Sequence, residues 1–356
     1  MKTKIKDFTG ENIYIGFDVH KKSWQVSIMT DHALHKSFSQ PPSVEKLVNY
    51  LQTNFTGGIY HSAYEAGFCG FGIHRELEKL GVNSIVVNPA DIPTTDKEKV
   101  QKEDKRDSRK IAKSLRSGDL EGIYVPSIIT VEERGLIRMR HLLVKDAIRY
   151  KQRIKSFLYF HGISLPPEFE TSSSHWSKRF MLWLKSIEMA SNSGKQSLEI
   201  LLNETASLRA NILDSTRKIQ ALSQSEKYQN NIKLMRSIPG IGIITGMTFL
   251  TEIDNVERFE GRDKLCSFIG LVPSMRGSGE KEGHGKITYR SNHLLRRMLI
   301  ESSWIAIRHD PALLRSYNEY CKRMEANKAI IRIARKLVSR IEFVLRKKQE
   351  YKKLTY

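Results

Sequence analysis

The segment "IYIGFDV" at residues 13–19 decides the fold, because it has the apolar character of a buried β-strand and carries an acidic residue, Asp18, near its end. Two further strand patterns, "WQVSIM" at 24–29 and "LHKSFS" at 34–39, follow after short polar turns. This spacing predicts a three-stranded antiparallel meander. Asp18 would then project from the edge of a sheet rather than into its core.

The next fifty residues alternate between helical and strand patterns, namely a helix in "SVEKLVNYLQTNF", a strand in "GIYHSAYEAG", a helix in "FGIHRELEKLG" and a strand in "NSIVVNPA". Three strands followed by this alternation predict an α/β layer with a mixed sheet. Glu65 lies at the end of the second of these segments. From Thr94 to about Arg116 the pattern is again helical, and Ile111, Ala112 and Leu115 form its apolar face.

The second half of the chain is mainly helical in pattern. "TVEE" at 130–133 has the form of a capping box and predicts the start of a long basic helix that runs toward His161. Between Leu198 and Leu222 a heptad pattern fits either a coiled coil between chains or a helix pair within one chain; its positions are Leu198, Leu201, Thr205, Leu208, Ile212, Ser215, Ile219 and Leu222. The residues from about 231 predict a second globular unit that ends in a basic helix.

Charge restricts the class of partner. The chain has 59 Lys and Arg against 39 Asp and Glu, a formal net charge of +20, which favours a polyanion: nucleic acid or an anionic membrane surface. No apolar run reaches the roughly 18 residues of a membrane helix, and the polar start lacks a signal-peptide core. We therefore expect a cytoplasmic protein that binds nucleic acid and no membrane.

Four carboxylates are candidates for metal binding. Asp18 and Glu65 converge if their strands are neighbours, and Asp104 and Asp107 share a helix face. Such a cluster is stable only with divalent cations, and two Mg²⁺ ions roughly 4 Å apart suit attack at a phosphodiester. Cys69, Cys266 and Cys321 have no paired spacing, which excludes a zinc site and leaves Mg²⁺ or Mn²⁺. Each acid alone could equally be a solvated partner of nearby Arg and Lys residues.

Two glycine-containing segments are also candidates. "IPGIGIITG" at 238–246 resembles the turn of a helix-hairpin-helix element, in which Gly240 and Gly242 expose backbone N–H groups to a phosphate, although an ordinary tight turn fits too. "PSMRGSGEKEGHGK" at 273–286 predicts a flexible, charged loop with two serines. Ser274 or Ser278 could attack phosphorus. His284 is near in sequence but is not evidently paired as a base.

Taken in order along the chain, several segments resemble the DEDD transposases of the IS110 group of insertion sequences. The resemblance runs from about Asn12 to Leu345 and is carried by "YIGFDVHKKSW", "YEAG", "VVNPADI", "KEDKRDSRKIA", "RIKSFLYFHGI", "IPGIGIITGMTFLTEI", "FIGLVPSMRGSGE", "GKITYRSNHLLRRMLIESSW" and "ARKLVSRIEFVL".

This resemblance implies a three-part organisation. Residues 1–125 would be a RuvC-like domain of RNase H type that holds Mg²⁺ on Asp18, Glu65, Asp104 and Asp107. Residues 126–230 would be a coiled-coil linker, and residues 231–356 a mostly helical transposase domain whose serine nucleophile falls on Ser278. It further implies donor and target DNA, a structured bridge RNA, a homo-oligomer (dimer or tetramer) and a location in the prokaryotic cytosol or nucleoid.

The basic residues of the long helices and the second unit are the predicted nucleic-acid contacts. They are Arg138, Lys145, Arg149, Arg153, Lys286, Arg296, Arg297, Arg332, Lys336 and Arg340, together with Gly240 and Gly242.

Three other classes fit parts of the pattern. A RuvC-like nuclease or junction resolvase would use water in place of serine. A sugar-kinase or actin-like ATPase is suggested by "IGFDVH", but the chain lacks a later Asp-Gly-Gly phosphate loop. A binding protein without catalysis would bind RNA tightly and rearrange no DNA.

Overall fold

The computed structural model describes residues 7–93, 104–278 and 281–352, and the side chains in these ranges except those of 104–105, 275–278 and 281–284. The chain divides into two compact units, Met1–Val125 and Pro126–Tyr356. Among the described helices, none is both long enough and apolar enough to cross a membrane. The functions assigned above to the three predicted segments stay predictions.

The first unit is built on a five-stranded mixed sheet with the order β3-β2-β1-β4-β5. Its strands are β1 (Asn12–Val19), β2 (Trp24–Thr30), β3 (Leu34–Gln40), β4 (Ile59–Glu65) and β5 (Asn83–Val87). The first three form the predicted meander, while β4 is parallel to both β1 and β5. Parallel neighbours require crossovers, which the helices α1 (Val44–Asn54) and α2 (Gly72–Lys79) supply. The mixed sheet agrees with the predicted α/β layer.

Helices cover both faces of this sheet. Leu47 and Leu51 of α1 share a buried core with Ile13, Ile15 and Phe17 of β1. On the opposite face, Ile111 of helix α3 (Asp104–Arg116) packs with the smaller core around Ala63 and Val87. The predicted helix from Thr94 therefore exists from Asp104 onward, and residues 94–103 lie outside the described part of the chain.

Helix α3 approaches the sheet closely at Gly16. A Cβ atom on Gly16 would lie 2.2 Å from the Ala112 backbone nitrogen and 2.3 Å from the Ser108 carbonyl oxygen. Only glycine allows this contact. The hydroxyls of Ser27 and Ser108 are also 2.9 Å apart and buried, so the helix is hydrogen-bonded to β2 as well as packed on β1.

The second unit begins with the 33-residue helix α4 (Ile128–Phe160). Its N-cap is Ser127, whose hydroxyl accepts from the Thr130 N–H at 3.1 Å. The predicted start at "TVEE" is therefore wrong: the helix begins at Ile128, because Ser127 already satisfies an N–H of the first turn.

The heptad pattern corresponds to helix α6 (Asn192–Ser223), which packs along α4 within the same chain. Leu198 and Leu202 are buried with Ile154 and Leu158 of α4. Of the two readings left open by the sequence, the helix pair within one chain is the one observed. Helix α5 (Lys178–Ser186) covers the end of this pair through Phe180 and Leu184.

The remainder of the unit has one core that combines α4 with the C-terminal helices. These helices are α7 (Gln229–Arg236), α8 (Ile243–Ile253), α9 (Arg262–Ile269), α10 (His293–His309), α11 (Pro311–Cys321) and α12 (Ala326–Lys347). The segment predicted as a flexible loop is instead a hairpin of β6 (Pro273–Ser278) and β7 (Lys281–Ile287). Antiparallel pairing satisfies its backbone groups despite the many glycines.

Candidate active site

Asp18 and Glu65 lie side by side at one edge of the first sheet. Phe17 pairs with Tyr64 in the parallel β1–β4 ladder, so the next residue of each strand, Asp18 and Glu65, occupies a neighbouring position. Both lie on the face of Gly16 and Ala63, which is the face that α3 covers. The Asp18 side chain is 19% exposed. Two carboxylates thus lie close to each other at an accessible edge.

The direction of α3 brings its first turn toward this edge. Its last residue, Arg116, acts electrostatically on Tyr14 near the start of β1, whereas Ser108 lies over Gly16 in the middle of the strand. The helix therefore runs opposite to β1, and the turn before Ser108, which contains Asp104 and Asp107, is nearest to the Asp18 end. The side chain of Asp104 lies outside the described part of the chain.

Two nitrogen-bearing side chains, an imidazole and an ammonium group, accompany the carboxylates. His20 Nε2 lies 3.1 Å from Asp18 Oδ2, and Lys110 Nζ lies 3.8 Å from Asp107 Oδ1. His20 was missed by the sequence analysis. His20 lies two residues after Asp18, and residues at this spacing share a side of an extended chain. This spacing could have identified His20 from the sequence.

The residue types at this edge fit a hard divalent cation. Among the side chains that the structure describes, no three Asp, Glu, His or Cys residues are grouped closely enough to hold a metal ion. The acidic residues near this edge nevertheless supply oxygen donors, and such donors suit Mg²⁺ or Mn²⁺. Asp18 and Glu65 are two described donors that occupy neighbouring positions.

The serine hairpin lies in the second unit. Ser278 is the last residue of β6 and pairs with Lys281 of β7, so it lies at the far end of the hairpin from its base at Pro273 and Ile287. The side chain of Ser278 is outside the described set. The Ser274 hydroxyl donates to the Lys286 carbonyl oxygen at 2.9 Å, which occupies it in holding the two strands together.

Arg296 joins the two chain segments at the base of this hairpin. Its Nη1 donates to the carbonyl oxygen of Gly270, before β6, at 3.2 Å and to that of Thr288, after β7, at 2.7 Å. Its Nη2 lies 3.0 Å from His293 Nδ1. Gly270 has a φ of +83°, and a Cβ there would collide with Ser291. Arg296, predicted to bind nucleic acid, thus has a structural contact at the hairpin base.

A buried glutamate orders the same region. Glu252 accepts from Arg138 Nε at 2.7 Å and Nη2 at 2.8 Å, and from Asn292 Nδ2 at 2.7 Å. Asn292 is the N-cap of α10, the helix that carries Arg296. Hydrogen bonds and the opposite charge stabilise a carboxylate that would otherwise be costly to bury. The sequence analysis missed Glu252, since a single acid in an apolar helix gives no sign of its partners.

The two glycines of the predicted helix-hairpin-helix turn lie between α7 and α8 and differ in their surroundings. Gly240 has a φ of +87°, and a Cβ on it would lie 2.3 Å from the Ser302 carbonyl oxygen of α10. Gly242 is the N-cap of α8 and has open space around its Cα. Gly240 is therefore required by packing, whereas Gly242 has accessible backbone, and phosphate contact by either stays a prediction.

The predicted basic contacts also differ in accessibility. Lys145, Arg149 and Arg153 are exposed at intervals of four residues along α4. Arg297 Nη2 lies 2.9 Å from His141 Nδ1; burial, and then Arg297 itself, lowers the pKa of His141. Arg340 forms a 2.5 Å ion pair with buried Asp310. Lys286, Arg332 and Lys336 are exposed. Their roles stay predictions.

Comparison with known proteins identifies the family. A model of DEDD transposases of the IS110 group matches residues 15–162, and a model described as "Transposase IS116/IS110/IS902 family" matches residues 232–318. The first match includes Asp18, Glu65 and α3, and the second includes the turn at Gly240 and the serine hairpin.

Similar proteins are also named as transposases. The transposase for insertion sequence element IS1533 of Leptospira borgpetersenii is 28% identical over 302 residues, which are 82% of this chain and 84% of the relative. A putative transposase of Sinorhizobium fredii is 29% identical over 68% of this chain and 57% of its own length. The transposase for IS1111A of Coxiella burnetii is 25% identical over 68% of this chain and 65% of its own length. The chain belongs to the IS110 family of DEDD transposases and is a DNA transposase.

Proposed function

We propose that this transposase cuts and rejoins DNA strands through a covalent serine–DNA intermediate, with Ser278 as the nucleophile and a carboxylate-bound metal ion at Asp18, Glu65, Asp104 and Asp107. The observation that carries the proposal is the neighbouring placement of Asp18 and Glu65 on parallel strands, beneath the helix that begins at Asp104. The mixed sheet with helices on both faces is compatible with an RNase H-like, RuvC-like domain.

The carboxylates would bind and orient the DNA phosphodiester through the ion. When bound, Mg²⁺ or Mn²⁺ supplies charge stabilisation to a phosphodiester under attack. The ammonium group of Lys110, which lies 3.8 Å from Asp107, would reduce the repulsion between the acids. The Lys and Arg residues of α3 would attract DNA phosphates to this edge.

Ser278 would exchange one phosphoester bond for another. Its Oγ forms a bond to phosphorus, the bond between phosphorus and a deoxyribose oxygen breaks, and the proton leaves with that oxygen as a DNA hydroxyl. A hydroxyl of the partner strand then attacks the phosphoserine and restores Ser278. The number of phosphoester bonds is conserved, so no nucleotide is consumed. The hydrogen bond of Ser274 to Lys286 favours Ser278 as the reactive hydroxyl.

Sequence specificity would come from a structured bridge RNA that pairs with donor and target DNA. The exposed cations of α4 and α12 would contact phosphates without reading bases, which leaves sequence choice to base pairing. Assembly as a dimer or tetramer would bring two DNA partners together. The net charge of +20 supports an RNA and DNA complex of this kind.

Replacing the nucleophile tests the serine step. Ser278→Ala should abolish a covalent protein–DNA species trapped by denaturation, whereas Ser274→Ala, which removes only the interstrand hydrogen bond, should retain it. The alternative hypothesis is a hydrolytic RuvC-like nuclease. Such an enzyme would keep cleaving DNA when Ser278 is replaced, and neither the parent protein nor the variants would form a covalent species with DNA.

Replacing the carboxylates tests the metal step. Asp18→Asn, Glu65→Gln and Asp107→Asn should each abolish strand exchange and weaken Mn²⁺ binding measured by calorimetry, with unfolding curves close to that of the parent. The control is Asp119→Asn, an exposed acid just after α3, which should leave both unchanged. Undiminished Mn²⁺ binding in all three variants would contradict the proposed site.

Sequencing the RNA that copurifies with the protein tests the guide. The RNA should be a single structured species, with loops complementary to the flanks of the insertion sequence that encodes this chain. A mixture of unrelated cellular RNAs would contradict guidance by a bridge RNA.

A further inference from the structure

A basic groove lies beside the base of the serine hairpin in the second unit. Its volume is about 920 Å³, and its walls come from Pro273 and Ile287 of the hairpin, Tyr320 of α11 and one face of α12. Among the described residues that line it there are six Lys or Arg and no Asp or Glu. The groove therefore has a positive potential suited to an anionic occupant.

Two of these cations remain available for a ligand. Four of the six have acidic partners. Arg335 and Arg262 lie 2.9 and 3.6 Å from Asp263, Arg340 is 2.5 Å from Asp310, and Lys328 is 3.4 Å from Glu325. Arg332 and Lys336 are exposed, and within the described part of the chain the structure shows no ion pair for either. They lie four residues apart on α12, which places them about 6 Å apart along one side of the helix.

The floor of the groove is apolar and partly aromatic. Tyr320, Met324 and Ile331 are half-buried there, and the guanidinium of Arg332 lies 5.6 Å from the centre of the Tyr320 ring. A cation and an aromatic ring together form the kind of platform on which a nucleobase stacks. A duplex keeps its bases stacked inside and presents phosphates, so it would leave this floor uncovered.

We propose that this groove binds an unpaired DNA strand, with phosphates on Arg332 and Lys336 and a base against Tyr320. The inference rests on the proposed function, because Ser278 lies on the strand that begins at the groove, five residues and about 17 Å from Pro273. The groove thus holds the stretch of DNA a few nucleotides from the phosphate that Ser278 attacks. It retains that strand after it has left its duplex and before it is rejoined.

Binding of a single-stranded DNA of about 16 nucleotides by the full-length protein tests the groove. The variant is Arg332→Ala with Lys336→Ala. The control, Arg308→Ala with Arg315→Ala, removes the same charge from exposed positions of α10 and α11. We expect the groove variant to lose about tenfold in affinity. The slope of log affinity against log salt concentration should become shallower by about 1.4, since each phosphate contact contributes about 0.7 to this slope for a single strand. The control should lose less than about twofold.

The aromatic platform is tested separately. Tyr320→Leu keeps an apolar side chain but removes the ring, and we expect weaker binding of the single strand with unchanged binding of a duplex of the same sequence. Tyr320→Phe should bind as the parent does. Equal losses in groove and control variants, equal losses for duplex and single strand, or tighter binding of the matching RNA strand would each overturn the proposal.

The outcome separates the groove from the serine chemistry. Ser278→Ala should bind the single strand normally while it forms no covalent species. If Ser278→Ala still formed that species and the groove variants still lost affinity, the nucleophile assignment would fail and the groove would stand. If Ser278→Ala formed no covalent species and the groove variants bound the single strand normally, only the groove proposal would be contradicted.

Discussion

Gly16 shows how one residue determines the position of helix α3, on which two of the proposed metal ligands lie. Because Gly16 has no Cβ, the backbone of α3 can lie directly on β1, and its first turn then comes toward Asp18 and Glu65. A larger residue would force the helix away from the sheet and would move Asp104 and Asp107 with it. The site thus depends on a residue that has no chemistry of its own.

Gly16→Ala should therefore destabilise the first unit by about 3 kcal/mol, since the atoms it meets are backbone rather than mobile side chain. Gly72→Ala is the matched control, because a Cβ on this first residue of α2 meets nothing within 4 Å. Its effect should stay within about 0.5 kcal/mol. Urea unfolding of both variants checks the prediction, and equal unfolding midpoints would contradict it.

Arg296 has a comparable role in the second unit. Arg296→Ala should release the ends of the serine hairpin, because the carbonyl groups of Gly270 and Thr288 lose their shared donor. Hydrogen exchange of the segment around residues 270–288 should become faster. Arg297→Ala, at a neighbouring exposed position, should leave that exchange unchanged. A loss of DNA affinity without faster exchange would instead indicate the originally predicted phosphate contact.

At the scale of elements, the pair α4 and α6 shows what a heptad pattern decides and what it leaves open. The pattern places an apolar seam on α6, but it is the same for a partner in another chain and for a partner in the same chain. The structure places α4 against that seam and buries Leu202, which the predicted positions omitted, more deeply than Leu201.

Leu202→Ala should cost about 2 to 5 kcal/mol in the free energy of unfolding, because it leaves a cavity between α4 and α6. Ile200→Ala removes an aliphatic side chain that is 63% exposed and should cost less than about 0.5 kcal/mol. Thermal and urea unfolding of the two variants provide the comparison. Similar losses in both would mean that α6 has a further packed face.

Asp310 connects three elements of the C-terminal core. Burial raises the pKa of Asp310. Hydrogen bonds from the Tyr351 hydroxyl and the Leu313 N–H, together with the charge of Arg340, lower the pKa by more, so it lies below the usual 3.8. The ionised form is therefore favoured by folding. Asp310 also caps α11, whose first residue is Pro311.

A lowered pKa in the folded state gives stability that is present above the unfolded pKa of about 3.8 and is lost as the pH falls through the folded value. The parent should thus lose stability as the pH falls from about 4. Asp310→Asn should be less stable than the parent at pH 7, and its free energy of unfolding should depend less on pH in this range. Unfolding curves between pH 3 and 7 measure this. An unchanged slope in Asp310→Asn would contradict the assignment.

At the scale of the whole molecule, charge is the dominant property. The chain has a net charge of +20, and exposed cations on α4, α6 and α12 would provide many weak phosphate contacts rather than one strong site. Such contacts release counterions when DNA binds. They would raise the affinity for any nucleic acid and leave the choice of sequence to other interactions.

Duplex DNA affinity of the full chain should therefore fall steeply with salt, by about tenfold or more between 50 and 200 mM. The slope should be nearly the same for unrelated DNA sequences, because phosphates are common to all of them. Titrations at several salt concentrations with two unrelated duplexes check this. A shallow slope would mean that the exposed cations make few phosphate contacts.

Much of the fold could be predicted from sequence patterns. The meander at 13–39, the alternation that follows it and the basic helix at the C-terminal end were all predicted, because strand and helix patterns are local properties. The start of α4 and the hairpin at 273–287 were missed. Ser127 caps the helix in place of Thr130, and Arg296, which is distant in the chain, bonds the segments on both sides of the Gly-rich hairpin.

The candidate site, like the fold, could be predicted from the sequence only in part. The sequence by itself determined the residue types: four acids in the order Asp, Glu, Asp, Asp, a serine between glycines and a large excess of cations. Only the tertiary structure decided that β1 and β4 are neighbours, that α3 runs opposite to β1, and that Arg138, Arg296 and Arg340 contact the protein itself. Periodicity is encoded within a segment, whereas the partner of a side chain depends on residues distant in the chain.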